Sequence, residues 1–241
     1  RLASVMSVTD HPHLQVHAPG STEAVVLVLH GGREVGTTPV RPQQLAVLRM
    51  LPFARAVRRH AGDRVAVARL RYRVRGWNAA AGRTPDPVRD AEWALAELAE
   101  RFPGRPIGLI GHSMGGRTAL WVAGHPAVST IAALAPWIEG GDPVEQLAGR
   151  RILFMHGTAD RMTSPRRTTA LAERLAEDGA DAGLVLVDGE KHAMLGRPRL
   201  WHQLASQFVL AGLLTGFEPS DWPGAPNDWR LVVQARARIT Y

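Results

Sequence analysis

Apolar residues along the chain gather into short runs, and between the runs they recur at every third or fourth position. The short runs, bounded by glycine, proline and polar residues, predict strands over residues 24–29, 65–70, 106–110, 129–135, 151–155 and 183–187. None alternates strictly between apolar and polar side chains, which predicts strands covered by helices on both faces. The helical spacing between them predicts helices over 43–60, 87–102, 114–124, 165–178 and 199–214. The pattern is clearest in 87–102, where Ala91, Leu95, Leu98 and Phe102 share a stripe. Thr84 or Asp86 is placed to cap that helix, Pro87 suits its first turn, and Gly104 follows its end. Strands alternating with helices predict an α/β fold with a mostly parallel central sheet. Beyond residue 217 the pattern changes. Residues 217–227 are rich in Pro, Gly and Trp, and 231–241 reads either as an edge strand with arginines on its wet face or as a loosely docked extension.

A chain of 241 residues, 45% hydrophobic and 21% charged, can bury one sizeable core, and a single domain over 1–241 with a C-terminal extension from 217 is expected. The longest apolar runs fall far short of the roughly 18 residues a membrane helix needs, so no membrane span is expected. The absence of cysteine excludes a disulfide scaffold, a thiolate metal site and a cysteine nucleophile. The net charge is +7, and Lys191 is the only lysine among 29 basic residues. Those arginines are scattered without a dense cluster or a reader motif, so no nucleic-acid partner is expected and codon bias is the simpler reading. The histidines and carboxylates lack metal-ligand spacing such as HExxH, and there is no dinucleotide fingerprint; neither metal nor cofactor is expected. Oligomeric state is not legible. Cytoplasmic placement is the default expectation, with a removed secretion signal as its alternative because the chain starts at Arg1.

The chemistry concentrates around Gly111-His112-Ser113-Met114-Gly115, which directly follows one predicted strand and directly precedes a predicted helix. That is the setting of a nucleophile elbow, in which flanking glycines allow a sharp turn and lift a serine hydroxyl above the sheet at a helix N-terminus. A serine hydroxyl needs a histidine base, and the base needs a carboxylate to fix its tautomer. His192 is preferred among ten histidines because its loop leaves the strand at 183–187 on the side where Ser113 emerges. His202 falls inside a predicted helix. His30, His112 and His156 have structural uses, and His11, His13, His17, His60 and His125 read as peripheral. Asp160, just past the strand at 151–155, is the preferred orienter, with Asp188, Glu190, Glu139 and Asp142 as rivals. Asp188 and Glu190 read as turn or solvent residues. An oxyanion site needs two donors: the amide of Met114 follows the nucleophile, and Gly32, with Arg33 as runner-up, lies in the glycine-rich segment His30-Gly31-Gly32-Arg33. Arg33, Trp137 and Met162 lie beyond strand ends at the same sheet edge and are candidates to line a substrate site. Arg71, Arg73 and Arg75, near Trp77, are candidates to pair with a substrate carboxylate.

With HGG at 30–32, GHSMG at 111–115, HGTAD at 156–160 and KH at 191–192, residues 24–214 resemble the serine α/β-hydrolases. The nearest likeness is to compact members of the dienelactone-hydrolase and prolyl-oligopeptidase-like type, although dienelactone hydrolases carry cysteine where this chain has Ser113. The resemblance implies a carboxylesterase acting on a small-molecule ester through an acyl-enzyme. Acyltransferase, thioesterase and peptidase chemistry are the alternatives on the same three residues, and a non-catalytic binding protein is a weaker one. Many relatives insert a helical cap before the acid strand. Residues 135–149 leave room for only a short loop here, which implies an open site.

Overall fold

The computed structural model describes residues 11–219 and 229–234, the latter as backbone only. Its strands are β1 His13–His17, β2 Ala24–Leu29, β3 Val65–Arg71, β4 Ile107–His112, β5 Val128–Leu134, β6 Arg151–Gly157, β7 Asp181–Val187 and β8 Trp229–Gln234. Its α-helices are α1 Leu45–Leu48, α2 Leu51–Ala61, α3 Asp86–Arg101, α4 Met114–Trp121, α5 Pro165–Glu177 and α6 Pro198–Leu213. All eight strands form one sheet in the order β1-β3-β2-β4-β5-β6-β7-β8. The inner six pair in parallel, and β1 and β8 are antiparallel edges. This is the α/β-hydrolase fold without a large cap: between β5 and β6 the chain makes a loop with one short 3₁₀ turn, Glu145–Leu147.

The six apolar runs become the six parallel strands because each side of the sheet is covered. Val25, Leu27 and Leu29 of β2 pack into the layer that holds α3, α4 and α5. Ala24, Val26 and Val28 pack into the layer that holds α2 and α6. Both faces are thus dry, and alternation has no reason to appear. Strand β1 escapes the periodicity analysis because His13, Gln15 and His17 dominate its five residues. It pairs with β3 through Leu14 opposite Leu70 and Val16 opposite Ala68. Of the stretch expected as an edge strand, only 231–234 is described, and the strand there begins at Trp229; residues 220–228 and 235–241 lie outside the described residues.

Two local expectations need correction. The helix predicted over 43–60 is two helices, because Pro52 in the first turn of α2 lacks the amide that would continue α1 and crowds the preceding turn. Neither Thr84 nor Asp86 caps α3. Pro85 is the boundary residue, and the Asp86 carboxylate instead accepts hydrogen bonds from Asn78 and Arg83.

The topology locates a crevice. The chain goes from β2 outward to β3, then returns to place β4 on the other side of β2. The loops leaving the C-terminal ends of β2 and β4 therefore diverge, and such a switch point is where open α/β sheets bind ligands. Gly31 and Gly32 leave β2 there, and Ser113 leaves β4. No helix among the described residues is long and apolar enough to cross a membrane.

Candidate active site

Ser113 sits between β4 and α4 with φ 57° and ψ −117°, a backbone conformation that L-residues rarely adopt. Its amide donates to the Leu134 carbonyl at the end of β5, 2.9 Å, which ties the elbow to the sheet. The tightness of the elbow explains the glycines. A Cβ on Gly111 would lie 2.2 Å from the Gly115 carbonyl oxygen, and one on Gly115 would lie 2.5 Å from the Leu29 oxygen. In both cases the obstacle is backbone. Gly111→Ala is therefore expected to destabilise the protein by about 3 kcal/mol or more in urea unfolding; a loss below about 1 kcal/mol would contradict this packing.

The loops bring Ser113, Met114, Gly32, Arg33, Trp137, Met162 and His192 to the wall of one open cleft of about 700 Å³, joined by Trp77, Arg117, Glu139 and Thr163. His192 is the histidine among these lining residues. Its Nδ1 is 2.8 Å from Asp160 Oδ2, so with Nδ1–H donating to the carboxylate, Nε2 is left as the basic nitrogen. The same Oδ2 is 3.1 Å from Nε2 of His156 and 2.8 Å from Thr163 Oγ1, while Oδ1 accepts from the amides of Met162 and Thr163 at 2.8 and 3.1 Å. Burial alone would raise the pKa of Asp160. The hydrogen bonds from His156, His192 and the two amides outweigh it and hold the carboxyl well below the usual range. The group is an anion at every working pH.

The rival carboxylates are engaged elsewhere. Asp188 accepts from Thr158, Glu139 from Trp137 and Arg167, and Asp142 from Arg117 and Trp121. Glu190 differs from its reading as a turn or solvent residue: it is only 4% exposed. Its carboxylate accepts from the amides of Gly196 and Arg197 at 3.1 and 2.8 Å and clamps the loop that carries His192. Glu190→Ala is expected to cost about 1–3 kcal/mol, since it leaves those donors unpaired, and to lower activity by loosening the loop. Unchanged urea stability would remove the clamp from this account.

Burial and hydrogen-bond partners set three of the other histidines apart from His192. Burial pushes His112 down to about 3 and His30 and His202 down to about 4, so all three are neutral. His112 Nε2 lies 2.9 Å from the His192 carbonyl and steadies that loop. His202 packs edge-on against Phe53, away from the cleft.

Two backbone amides at the cleft wall lack protein acceptors among the described residues. The Gly32 amide has no acceptor among the described residues, and Met114, as first residue of α4, has none within its helix. The Arg33 amide donates to the Arg75 carbonyl at 2.8 Å and is not available, although the residue lines the cleft. A Cβ on Gly32 would lie 2.6 Å from the Arg75 carbonyl oxygen, a backbone obstacle that cannot swing aside, so glycine is required for this close approach. The Ser113 hydroxyl itself has no hydrogen-bond partner among the described residues. Met162 is 78% exposed at the mouth, and Trp137 is half-buried. Arg71, Arg73 and Arg75 are not among the lining residues; Arg71 donates to the Val40 carbonyl and Arg73 pairs with Asp90.

Sequence reasoning missed Thr163, Arg117 and Trp77. Thr163 follows Asp160 by three residues in a loop with no periodic signal. Arg117 could have been found, because it lies one helical turn after Ser113.

Comparison with known proteins agrees with the architecture. The model of a family described as "Alpha/beta hydrolase family" matches residues 25–239. No curated protein matches the chain in sequence. A lidless α/β serine hydrolase from Xanthomonas campestris superposes with a TM-score of 0.62 at 18% identity, over 89% of this chain and 91% of its own. Est1E from Butyrivibrio proteoclasticus gives 0.58 at 14%, over 83% and 94%. A puromycin-hydrolyzing peptidase from Mycobacterium tuberculosis gives 0.61 at 17%, over 87% of this chain but 38% of its own.

Proposed function

The chain belongs to the alpha/beta hydrolase family, and from that premise we propose that it is a serine hydrolase cleaving small carboxylic esters, with Ser113 as nucleophile, His192 as base and Asp160 as orienter. The observation that carries this reading is that the strained Ser113 elbow and His192 line one cleft, His192 being fixed through Nδ1 by a buried, ionised carboxylate.

In the proposed reaction Ser113 Oγ attacks the ester carbonyl carbon as its proton passes to Nε2 of His192. The carbonyl oxygen becomes an oxyanion, which the amides of Gly32 and Met114 stabilise. The C–O bond to the leaving alkoxide then breaks, and Nε2 returns the proton to it, leaving Ser113 acylated. Water attacks the acyl-enzyme, again giving a proton to Nε2, and collapse releases the acid and restores the serine hydroxyl. Asp160 stays ionised and stabilises the imidazolium. Hydrogen bonds between nucleophile and base often tighten only with substrate in place, consistent with the open geometry at Ser113.

A panel of chromogenic esters of graded acyl length, run beside a matched arylamide, tests the assignment. Turnover of the esters with little of the arylamide is expected. Preferential cleavage of the arylamide would make the protein a peptidase, and transfer to added alcohols in place of hydrolysis would make it an acyltransferase.

A further inference from the structure

Arg117 is the odd group in the cleft. It is only 7% exposed, yet it lines the wall beside Ser113. Its Nε and Nη2 both donate to Asp142 Oδ1, at 2.9 and 2.6 Å. The guanidinium carbon lies 4.3 Å from the ring centre of Trp77 and 4.4 Å from that of Trp137. Asp142 is itself held by the Trp121 indole N–H at 3.0 Å and the Glu139 amide at 2.9 Å. The fork is therefore fixed in position and plane. Nη1, with two N–H donors, has no partner among the described residues. A buried arginine normally has its donors satisfied; here three of the five N–H groups, both on Nη1 and one on Nη2, have no protein acceptor among the described residues, on a residue that lines the cleft and belongs to the helix that begins at the nucleophile. Arg117 lies in the first turn of that helix, its amide donating to the Ser113 carbonyl at 3.1 Å.

We propose that Arg117 is a specificity-determining residue, and that through Nη1 it selects uncharged esters bearing a second oxygen acceptor, a carbonyl, hydroxyl or ether, about one helical turn from the scissile carbonyl. This rests on the serine-esterase reading above. The acceptor is uncharged because Asp142 already neutralises the guanidinium, so the fork offers N–H donors without the net positive charge that would favour a carboxylate. Free donors held rigid beforehand discriminate strongly, since an ester without the oxygen leaves them desolvated and unpaired.

The test uses three esters with one leaving group and equal chain length: a plain alkyl ester, one with a ketone about one helical turn from the ester carbonyl, and one ending in a carboxylate. With the full-length protein, kcat/KM for the ketone is expected to exceed that for the plain ester by about 10- to 100-fold, the range of a hydrogen bond to a charged group, and the carboxylate is expected to be poorest. Arg117→Lys keeps the charge but not the fork, and should bring the ketone preference to within about threefold. A wild-type ratio near one, a preference for the carboxylate, or an unchanged ratio in Arg117→Lys overturns the proposal. The wild-type comparison needs no variant, so poor folding of Arg117→Lys leaves it decisive. Failure to turn over any ester, with no fluorophosphonate label at Ser113, defeats the esterase reading and this inference with it; turnover without preference defeats only the inference.

Discussion

Ser113→Ala is expected to lower ester turnover by about 10⁴-fold or more while the protein stays folded. The serine Oγ has no hydrogen-bond partner among the described residues, so alanine keeps the Cβ and removes only the atom that attacks. Stability gives an independent check on the elbow. Both serine and alanine are strained at φ 57°, and glycine is not. Ser113→Gly should be equally inactive yet more stable than Ser113→Ala by about 1 kcal/mol in urea unfolding. Retained activity in either variant would remove Ser113 from the chemistry, and equal stabilities would mean the turn stores no strain.

Asp160→Asn is expected to lower turnover by about 10⁴-fold through the tautomer of His192. Oδ2 receives His156, Thr163 and His192 together. An amide there either turns an N–H toward donors or weakens the acceptor, and Nδ1–H of His192 loses its fixed direction. The carboxyl is held below its unfolded value by these hydrogen bonds, against the opposing effect of burial. Its stabilising contribution is therefore complete above the ordinary aspartate range, about pH 4, and is lost as pH falls from there toward the depressed value. The stability difference between wild type and Asp160→Asn should be full at pH 7 and shrink below about pH 4. A difference that grows on acidification would reverse the sign of this account.

The inner strands were legible because a doubly covered parallel strand is a continuous apolar run, and Ala24–Leu29 has the observed bounds. Strand β1 was not, since edge strands need few apolar positions and His13–His17 offers two. The split of the 43–60 helix is carried by Pro52, which a spacing of apolar positions does not register. In the cleft, strand order alone places Ser113, Asp160 and His192 on one sheet edge, because residues that follow parallel strands leave from the same end. Glu190 and Asp86 could not be read this way. Each is charged and adjacent to a turn, where exposure is the ordinary outcome; only tertiary contacts, with Gly196 and Arg197 for one and Asn78 for the other, show that they are buried. The free Nη1 of Arg117 depends on which nitrogens Asp142 engages, and no sequence pattern carries that.

If His192 activates Ser113, intact mass spectrometry after fluorophosphonate treatment reads it out on the serine itself. One adduct per chain is expected, mapped to Ser113 and slowed by orders of magnitude in His192→Ala. A folded protein that hydrolyses esters but takes no label, or takes it at another residue, would contradict the account.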